Sequence, residues 1–239
     1  PTEDFTVSEF QVAARRALDD MEGRGARAVL VGGTGLHVRA VVDDLEIPGR
    51  YDEVREVLDA DDDTSGLHTR LAGLDPVAAG RMEPTNRRRV VRALEVTLGS
   101  GRPFSSFGPG LEAYPATPFT QVGLRVDREV LDRRIADRYR HQLADGFLDE
   151  VRWLAALDGG PSRSAAQALG YSELLAHLRG ECTLADAIAD AVAATRRFAR
   201  RQERWFRRDP RIEWFDVGAD PLKVLEAVLE RFDRCGDPG

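Results

Sequence analysis

Ala28-Val29-Leu30-Val31-Gly32-Gly33-Thr34-Gly35-Leu36 is the stretch on which the fold turns. Four apolar residues run into a cluster of glycines, and Leu36 to Val42 has helical character. The stretch therefore predicts a buried strand, a tight turn and a helix. Before it, Val7, Phe10, Ala14, Leu18 and Met21 share one face of an amphipathic helix over residues 7–22, closed by Gly23 and Gly25. Helix, strand, turn and helix in that order belong to an α/β domain. An earlier strand normally opens such a pattern, so the chain is expected to begin in mid-fold.

Working outward, residues 48–71 are charged and predict helices around an exposed acidic loop. Asp75-Pro76 opens a short helix over 77–82. Asn86 to Leu98 is a stronger one, with Val90, Ala93, Leu94 and Thr97 as its apolar stripe. A Gly-, Pro- and Ser-rich loop follows over 99–110. Residues 119–126 predict a second core strand, and 130–157 one or two helices broken near Gly146. A linker occupies 159–164. One long helix covers 184–207, then a last strand over 212–215 and a closing helix over 221–232.

Bulk properties narrow the function. The 239 residues are 42% hydrophobic and 31% charged, which suits a packed core and argues against disorder. No apolar run approaches the ~20 residues that span a bilayer. Pro1 to Phe10 is polar and acidic, unlike a signal peptide. Cys182 and Cys235 make neither a disulfide framework nor a zinc site, and a reducing cytoplasm is the natural expectation. His37, His68, His141 and His177 share no ligand-like spacing, so no metal site is assigned to them. No nucleophile arrangement of serine, cysteine or histidine stands out.

Net charge is −7, but its distribution matters more than its sum. Acid collects at Asp43-Asp44-Leu45-Glu46 and at 59–63, and arginine at 87–92 and 196–211. Lys223 is the only lysine, so no phosphate-loop lysine lies within these residues. In the long helix Ile188, Val192, Thr195, Ala199, Gln202 and Phe206 form an inner stripe, with Ala191, Phe198 and Trp205 alongside. Arg196, Arg200 and Arg204 line another, widened by Arg197 and Arg201. Like charges four residues apart repel by a few tenths of a kcal/mol per pair. A solvated face usually alternates sign, and this one scarcely does, so it points to an anionic partner. Trp205 and Phe206 fit base stacking or core equally. Arg87-Arg88-Arg89 at a helix start oppose the dipole, which fits an external phosphate or local acidic partners. Glycines 32, 33 and 35 suit an anion against backbone amides, and a plain turn without ligand fits the local pattern as well. In Gln167-Ala168-Leu169-Gly170-Tyr171, Gln167 can read a base edge and Tyr171 can stack, or both can simply pack.

Taken together the segments resemble a known family. Leu30 to Leu36, Asp75-Pro76-Val77-Ala78-Ala79, Arg92-Ala93-Leu94-Glu95-Val96, Gln167 to Tyr171, and Thr195-Arg196-Arg197-Phe198-Ala199-Arg200-Arg201-Gln202 with Trp205-Phe206-Arg207 occur in the order seen in tRNA dimethylallyltransferases, also called tRNA isopentenyltransferases. The resemblance implies an α/β fold with a P-loop nucleotide-kinase-like parallel sheet core and a mainly helical tRNA-binding insertion. Residues 1–48 are then part of that core, 49–118 the insertion, and 119–239 the return to the core. It implies transfer of a dimethylallyl group from dimethylallyl diphosphate to N6 of an adenine beside the tRNA anticodon, with the base flipped into a channel.

By motif position the resemblance implies that Thr34 lies in the channel near the target amine, with Gly32, Gly33 and Gly35 lining it. Arg196 matches the arginine that stabilises the leaving diphosphate. Arg55 matches a tRNA-contacting arginine. Arg88, Arg89, Val90, Val91 and Arg92 match one tRNA-contacting segment. Gln167, Ala168, Leu169, Gly170, Tyr171 and Ser172 match a second. Arg200, Arg201, Gln202, Glu203, Arg204, Trp205, Phe206 and Arg207 match a third. His37 stands where the family usually has tyrosine. The family's phosphate loop, Mg²⁺ ligands and proposed general base belong to a portion preceding these residues. The expectation is a tRNA-binding monomer that prenylates only when complete. The alternative is a tRNA-binding paralogue without a diphosphate site. A relative acting on free nucleotides fits less well, since a free nucleotide needs no extended arginine track.

Overall fold

A computed structural model describes residues 1–218 and 220–235. In chain order the helices are α1 (Val7–Gly23), α2 (Gly35–Val42), α3 (Asp52–Asp59), α4 (Thr64–Leu74), α5 (Pro76–Gly80), α6 (Arg87–Ser100), α7 (Arg128–Ala144), α8 (Phe147–Ala155), α9 (Arg163–Ala166), α10 (Tyr171–Leu178), α11 (Leu184–Phe206) and α12 (Leu225–Arg234). Strand β1 (Gln121–Arg125) precedes α7 and β2 (Ile212–Asp216) follows α11; short 3₁₀ turns occupy Phe104–Ser106 and Pro221–Val224. The chain divides into two compact units: residues 1–38 with 117–239, and residues 39–116.

In the first unit β1 and β2 pair in parallel, from Gln121 opposite Ile212 to Arg125 opposite Asp216. Parallel neighbours need a long crossover, and α7 to α11 supply it. These helices bury one core around Ile135, Tyr139, Phe147, Val151, Leu174 and Ala191. Gly170 precedes α10 with φ +89°, and a Cβ there would meet Tyr139 at 3.0 Å, so both backbone and space require glycine. The fully buried line of α11 is Ala187, Ala191 and Thr195, small residues that let the helix approach its neighbours.

One expectation is overturned here. Residues 28–31 do not form a buried strand: they belong to no ladder among the described residues, and Val29 and Val31 are 68% and 88% exposed. Apolar residues before a glycine turn carry strand propensity, but a strand exists only when a neighbour takes its backbone hydrogen bonds. The two strands among the described residues pair with each other.

The second unit is helical and centres on α6, whose Val90, Val91, Ala93, Leu94 and Val96 are fully buried. The first four of these pack with Leu58 of α3, Leu67 and Leu71 of α4, and Ala78 of α5. Sequence chemistry sets the helix starts. Asn86 caps α6 by accepting from Arg89 N, and Asp63 caps α4 by accepting from Gly66 N. Asp75 caps α5 through Ala78 N at 2.9 Å and also accepts from Ser105 N at 2.7 Å. Burial pushes this carboxyl up, but the Ala78 and Ser105 amides, the Ser105 hydroxyl and Arg81 together hold it below its ordinary 3.8. A depressed folded pKa contributes stability above the unfolded pKa and loses it as pH falls through the folded one. Asp75→Ala leaves two amides without their acceptor and is expected to cost this unit about 2 kcal/mol at neutral pH. The difference between variant and parent should shrink in acid, as urea unfolding at both ends of that range would show.

Candidate active site and arginine face

The turn at residues 32–35 is seated on the second half of α11. Gln202 Nε2 donates to the Gly33 carbonyl at 2.6 Å, across 169 positions of sequence. A Cβ on Gly33 would lie 2.4 Å from that same nitrogen, and one on Gly35 2.1 Å from Trp205 Nε1. Glycine is thus needed at 35 for close approach to the indole, whereas at 33 the clash is with the end of the Gln202 side chain, which can move only by giving up its bond to the Gly33 carbonyl. Gly32 differs: its nearest atom would be Val38 Cγ2 at 3.7 Å, an ordinary contact. Thr34 is exposed at the start of α2, its carbonyl accepting from Val38 N at 3.1 Å. His37 packs edge-on against Phe10, ring centroids 4.9 Å apart, and its Nδ1 is buried with no hydrogen-bond partner.

Arg196 is held from α7. Its Nη2 donates to the Asp132 carbonyl at 3.0 Å, and the side chain is 37% exposed. Beyond it, Arg197, Arg200 and Arg204 are exposed, with no acidic partner among the described residues. Arg207 pairs with Glu203 at 2.6 Å, and Arg201 lies over the Phe198 ring. The inner stripe and arginine face read from the sequence are therefore distinct surfaces. Gln202 and Trp205 hold the turn, and Phe206 is half-buried.

Beside this face a cleft of about 450 Å³ opens at the carboxyl ends of β1 and β2, with Arg125, Arg128, Glu203, Arg207 and Asp216 on its walls. Parallel α/β sheets place ligands at such strand ends. On its wall Arg125 donates two hydrogen bonds to Asp216, at 2.5 and 2.7 Å, which raise the arginine and lower the carboxyl.

The segment at 167–172 lies between α9 and the start of α10. Gln167 is exposed and Leu169 is 36% exposed, Ala168 is half-buried, and Gly170 is buried. Tyr171 donates to Glu150 at 2.8 Å; burial, then the Glu150 carboxylate, pushes its hydroxyl up to about 12. Ser172 donates to Glu173 at 2.7 Å. Tyr171, Leu169 and Arg138 line a cavity of about 390 Å³ whose wall includes Tyr139 and Thr195, joined by a buried 2.9 Å hydrogen bond.

In the helical unit the arginines of α6 part ways. Arg87 donates to the backbone carbonyls of Leu58, Asp59 and Asp61, so its partners are local but are not the acidic side chains expected. Arg92 bonds Glu95 at 2.5 Å and the Pro48 carbonyl at 2.8 Å. Arg88 and Arg89 are exposed, with no acidic partner among the described residues. Val90 and Val91 have no exposed surface and serve the core, so their side chains cannot touch an external partner. Arg55 donates to Asp59 at 2.7 Å and lies 3.5 Å from buried Glu95, and its guanidinium is raised first by the Asp59 bond. Arg55, Arg92 and Glu95 thus also tie α3 to α6.

Among the described residues no group of three or more His, Cys, Asp or Glu gathers that could hold a metal ion. Sequence reasoning missed Arg128 and Asp132, whose only local sign is their spacing of four on α7.

The chain matches the sequence model of the family described as IPP transferase over residues 1–209. It belongs to that family. The IPP transferase chain is 45% identical to a tRNA dimethylallyltransferase of Thermobifida fusca over 240 residues, covering 98% of this chain and 74% of that protein. Among solved structures it is similar to the tRNA isopentenylpyrophosphate transferase of Bacillus halodurans, with TM-score 0.65, 31% identity, and coverage of 98% of this chain and 75% of the other. A eukaryotic dimethylallyltransferase acting on tRNA shares the fold at TM-score 0.71 and 22% identity, with coverage of 97% and 61%. The IPP transferase fold is mixed and helix-rich, with a small parallel sheet, and the enzyme class is that of a prenyltransferase. No helix among the described residues is long and apolar enough to cross a membrane.

Proposed function

We propose that this prenyltransferase modifies tRNA, moving a dimethylallyl group from dimethylallyl diphosphate to N6 of an adenine beside the anticodon. The observation that carries the reading is the seating of the turn at 32–35 on the arginine-bearing half of α11 through Gln202 and Trp205. Channel threonine, leaving-group arginine and arginine face then belong to one unit. Chemically, the N6 nitrogen forms a bond to the allylic carbon, that carbon's bond to the diphosphate oxygen breaks, and N6 gives up one proton. Charge develops on the leaving oxygen, where a held guanidinium stabilises it. Thr34 stands beside the amine, and Arg196 faces the leaving diphosphate. Mg²⁺ enters no step of this reading.

Arg197, Arg200, Arg201 and Arg204 on α11 and Arg88 and Arg89 on α6 take the phosphates of the anticodon stem-loop; Gln167 and Tyr171 meet its bases. The parallel pair β1–β2 forms part of a nucleotide-kinase-like core, residues 39–116 are the unit that grips tRNA, and the monomer acts where tRNA is, in the cytoplasm.

The direct test incubates the full-length protein with dimethylallyl diphosphate and an anticodon stem-loop bearing the target adenine. The expected product is a prenyl mass gain on that base. Stem-loop binding without product would favour the non-catalytic alternative. Arg204→Ala is expected to weaken stem-loop binding and lower the log affinity–log salt slope by about one. Arg87→Ala, whose bonds are internal, is expected to leave that slope unchanged.

A further inference from the structure

Arg196 is not free to sweep the surface of α11. Its Nη2 donates to the Asp132 carbonyl at 3.0 Å, and its Nε lies 3.8 Å from Asp132 Oδ1. The same carboxylate engages Arg128, whose Nε donates to Oδ2 at 3.1 Å and whose Nη2 lies 3.1 Å from Oδ1. Arg128 returns a hydrogen bond to the Arg196 carbonyl at 3.4 Å. Hydrogen bonds from Arg196 to the Asp132 carbonyl and from Arg128 to the Arg196 carbonyl therefore tie α7 and α11 in both directions, with the Asp132 carboxylate between the two guanidinium groups.

Two details set this group apart from an ordinary exposed pair. Arg196 Nε and Asp132 Oδ1 are both buried and face each other at 3.8 Å without a hydrogen bond between them, while Oδ1 is ion-paired to Arg128 Nη2 at 3.1 Å. A normal N–H···O bond spans about 3 Å, so an approach of roughly 1 Å gives Arg196 Nε its acceptor. Two cations against one anion also leave the trio one positive charge in surplus, and Arg196 Nη1 is engaged by no described residue.

We propose that Asp132 is a positioning residue for Arg196, holding the guanidinium by one edge so that Nη1 is presented to the leaving diphosphate. This rests on the reading of Arg196 given above. A loose arginine must lose rotamer freedom when it meets an anion, whereas one already held loses less. Arg128 serves the same end by holding the carboxylate and the backbone of α11 at Arg196.

The test uses the full-length enzyme with Asp132→Asn, Asp132→Ala, Arg196→Ala and the double variant Asp132→Ala/Arg196→Ala. Asp132→Asn keeps the side-chain shape and guards against a folding failure of the alanine variant, checked by thermal midpoint. Both Asp132 variants keep the backbone carbonyl bond and lose the carboxylate charge beside Arg196, so kcat is expected to fall about fivefold, the scale of one partly exposed ion pair, with KM for the stem-loop unchanged. The inhibition constant of inorganic diphosphate should rise by a similar factor. In the Arg196→Ala background the Asp132 change should add little. If Arg196→Ala slows turnover while the Asp132 variants leave kcat and diphosphate inhibition intact, the positioning role is wrong and the role of Arg196 stands. Losses that multiply in the double variant overturn the positioning role too. If Arg196→Ala itself leaves turnover intact, both fall.

Discussion

Arg196→Ala is expected to slow prenyl transfer by about a hundredfold while barely changing stem-loop affinity. The split follows from when the charge appears. In the ground state the diphosphate already carries its charge, and in the proposed reading several arginines of α11 share the work of holding tRNA. As the carbon–oxygen bond breaks, new charge develops on the leaving oxygen, and only a group fixed beside it gains. Arg196 is held by Asp132, whereas Arg197, Arg200 and Arg204 are exposed and have no acidic partner among the described residues. Its side chain is still 37% exposed, so the effect belongs at the lower end of the range for a preorganised donor. Arg196→Lys keeps the charge but loses the guanidinium fork, and should fall between the two. Single-turnover rates and stem-loop affinity at one fixed salt concentration separate the terms. An alanine variant with parental turnover and weakened affinity would move Arg196 from the chemistry to the tRNA grip.

Where the sequence could be read, the signals were local. The helix openings at Asp75-Pro76 and Asn86, the helix break at Gly146 and the long stripe of α11 each depend on residues within a few positions of one another. The corresponding helices lie where those signals put them. What could not be read depends on partners far away in the chain. Residues 28–31 have strand composition, but their pairing lies beyond any local pattern. The bond from Gln202 to Gly33 joins residues 169 positions apart, and nothing in either segment announces it. Burial corrects the site in the same way. A motif carried over as a block includes Val90 and Val91, yet adjacent residues of a helix point about 100° apart, so these valines turn inward while Arg88 and Arg89 are exposed. Arg87 shows the converse: a charged residue in a basic run, bonded to carbonyls of its own unit.

The three glycines of the turn allow the seating itself to be tested, because two effects predict opposite signs. By helix propensity, alanine at Gly35 stabilises the first turn of α2 by up to about 1 kcal/mol. By contact, the new methyl lies 2.1 Å from Trp205 Nε1 and 2.2 Å from Cδ1, against an ordinary separation of about 3.5 Å. The indole is the body of a bulky side chain, so it must swing by more than 1 Å or the turn must lift away from α11. Gly33→Ala meets Gln202 Nε2 at 2.4 Å and breaks the hydrogen bond that fixes the turn. Displacing reacting groups by about 1 Å can cost about a hundredfold in rate, far more than the propensity gain returns. Gly33→Ala and Gly35→Ala are therefore expected to lose most of kcat. Gly32→Ala, with 3.7 Å to Val38, should turn over almost as the parent does. The ordering within four residues is the informative result, since a general intolerance of the turn would affect all three alike. Should Gly35→Ala behave like Gly32→Ala, the turn does not depend on Trp205, and the proposal that Thr34 and the arginine face act as one site loses its physical basis.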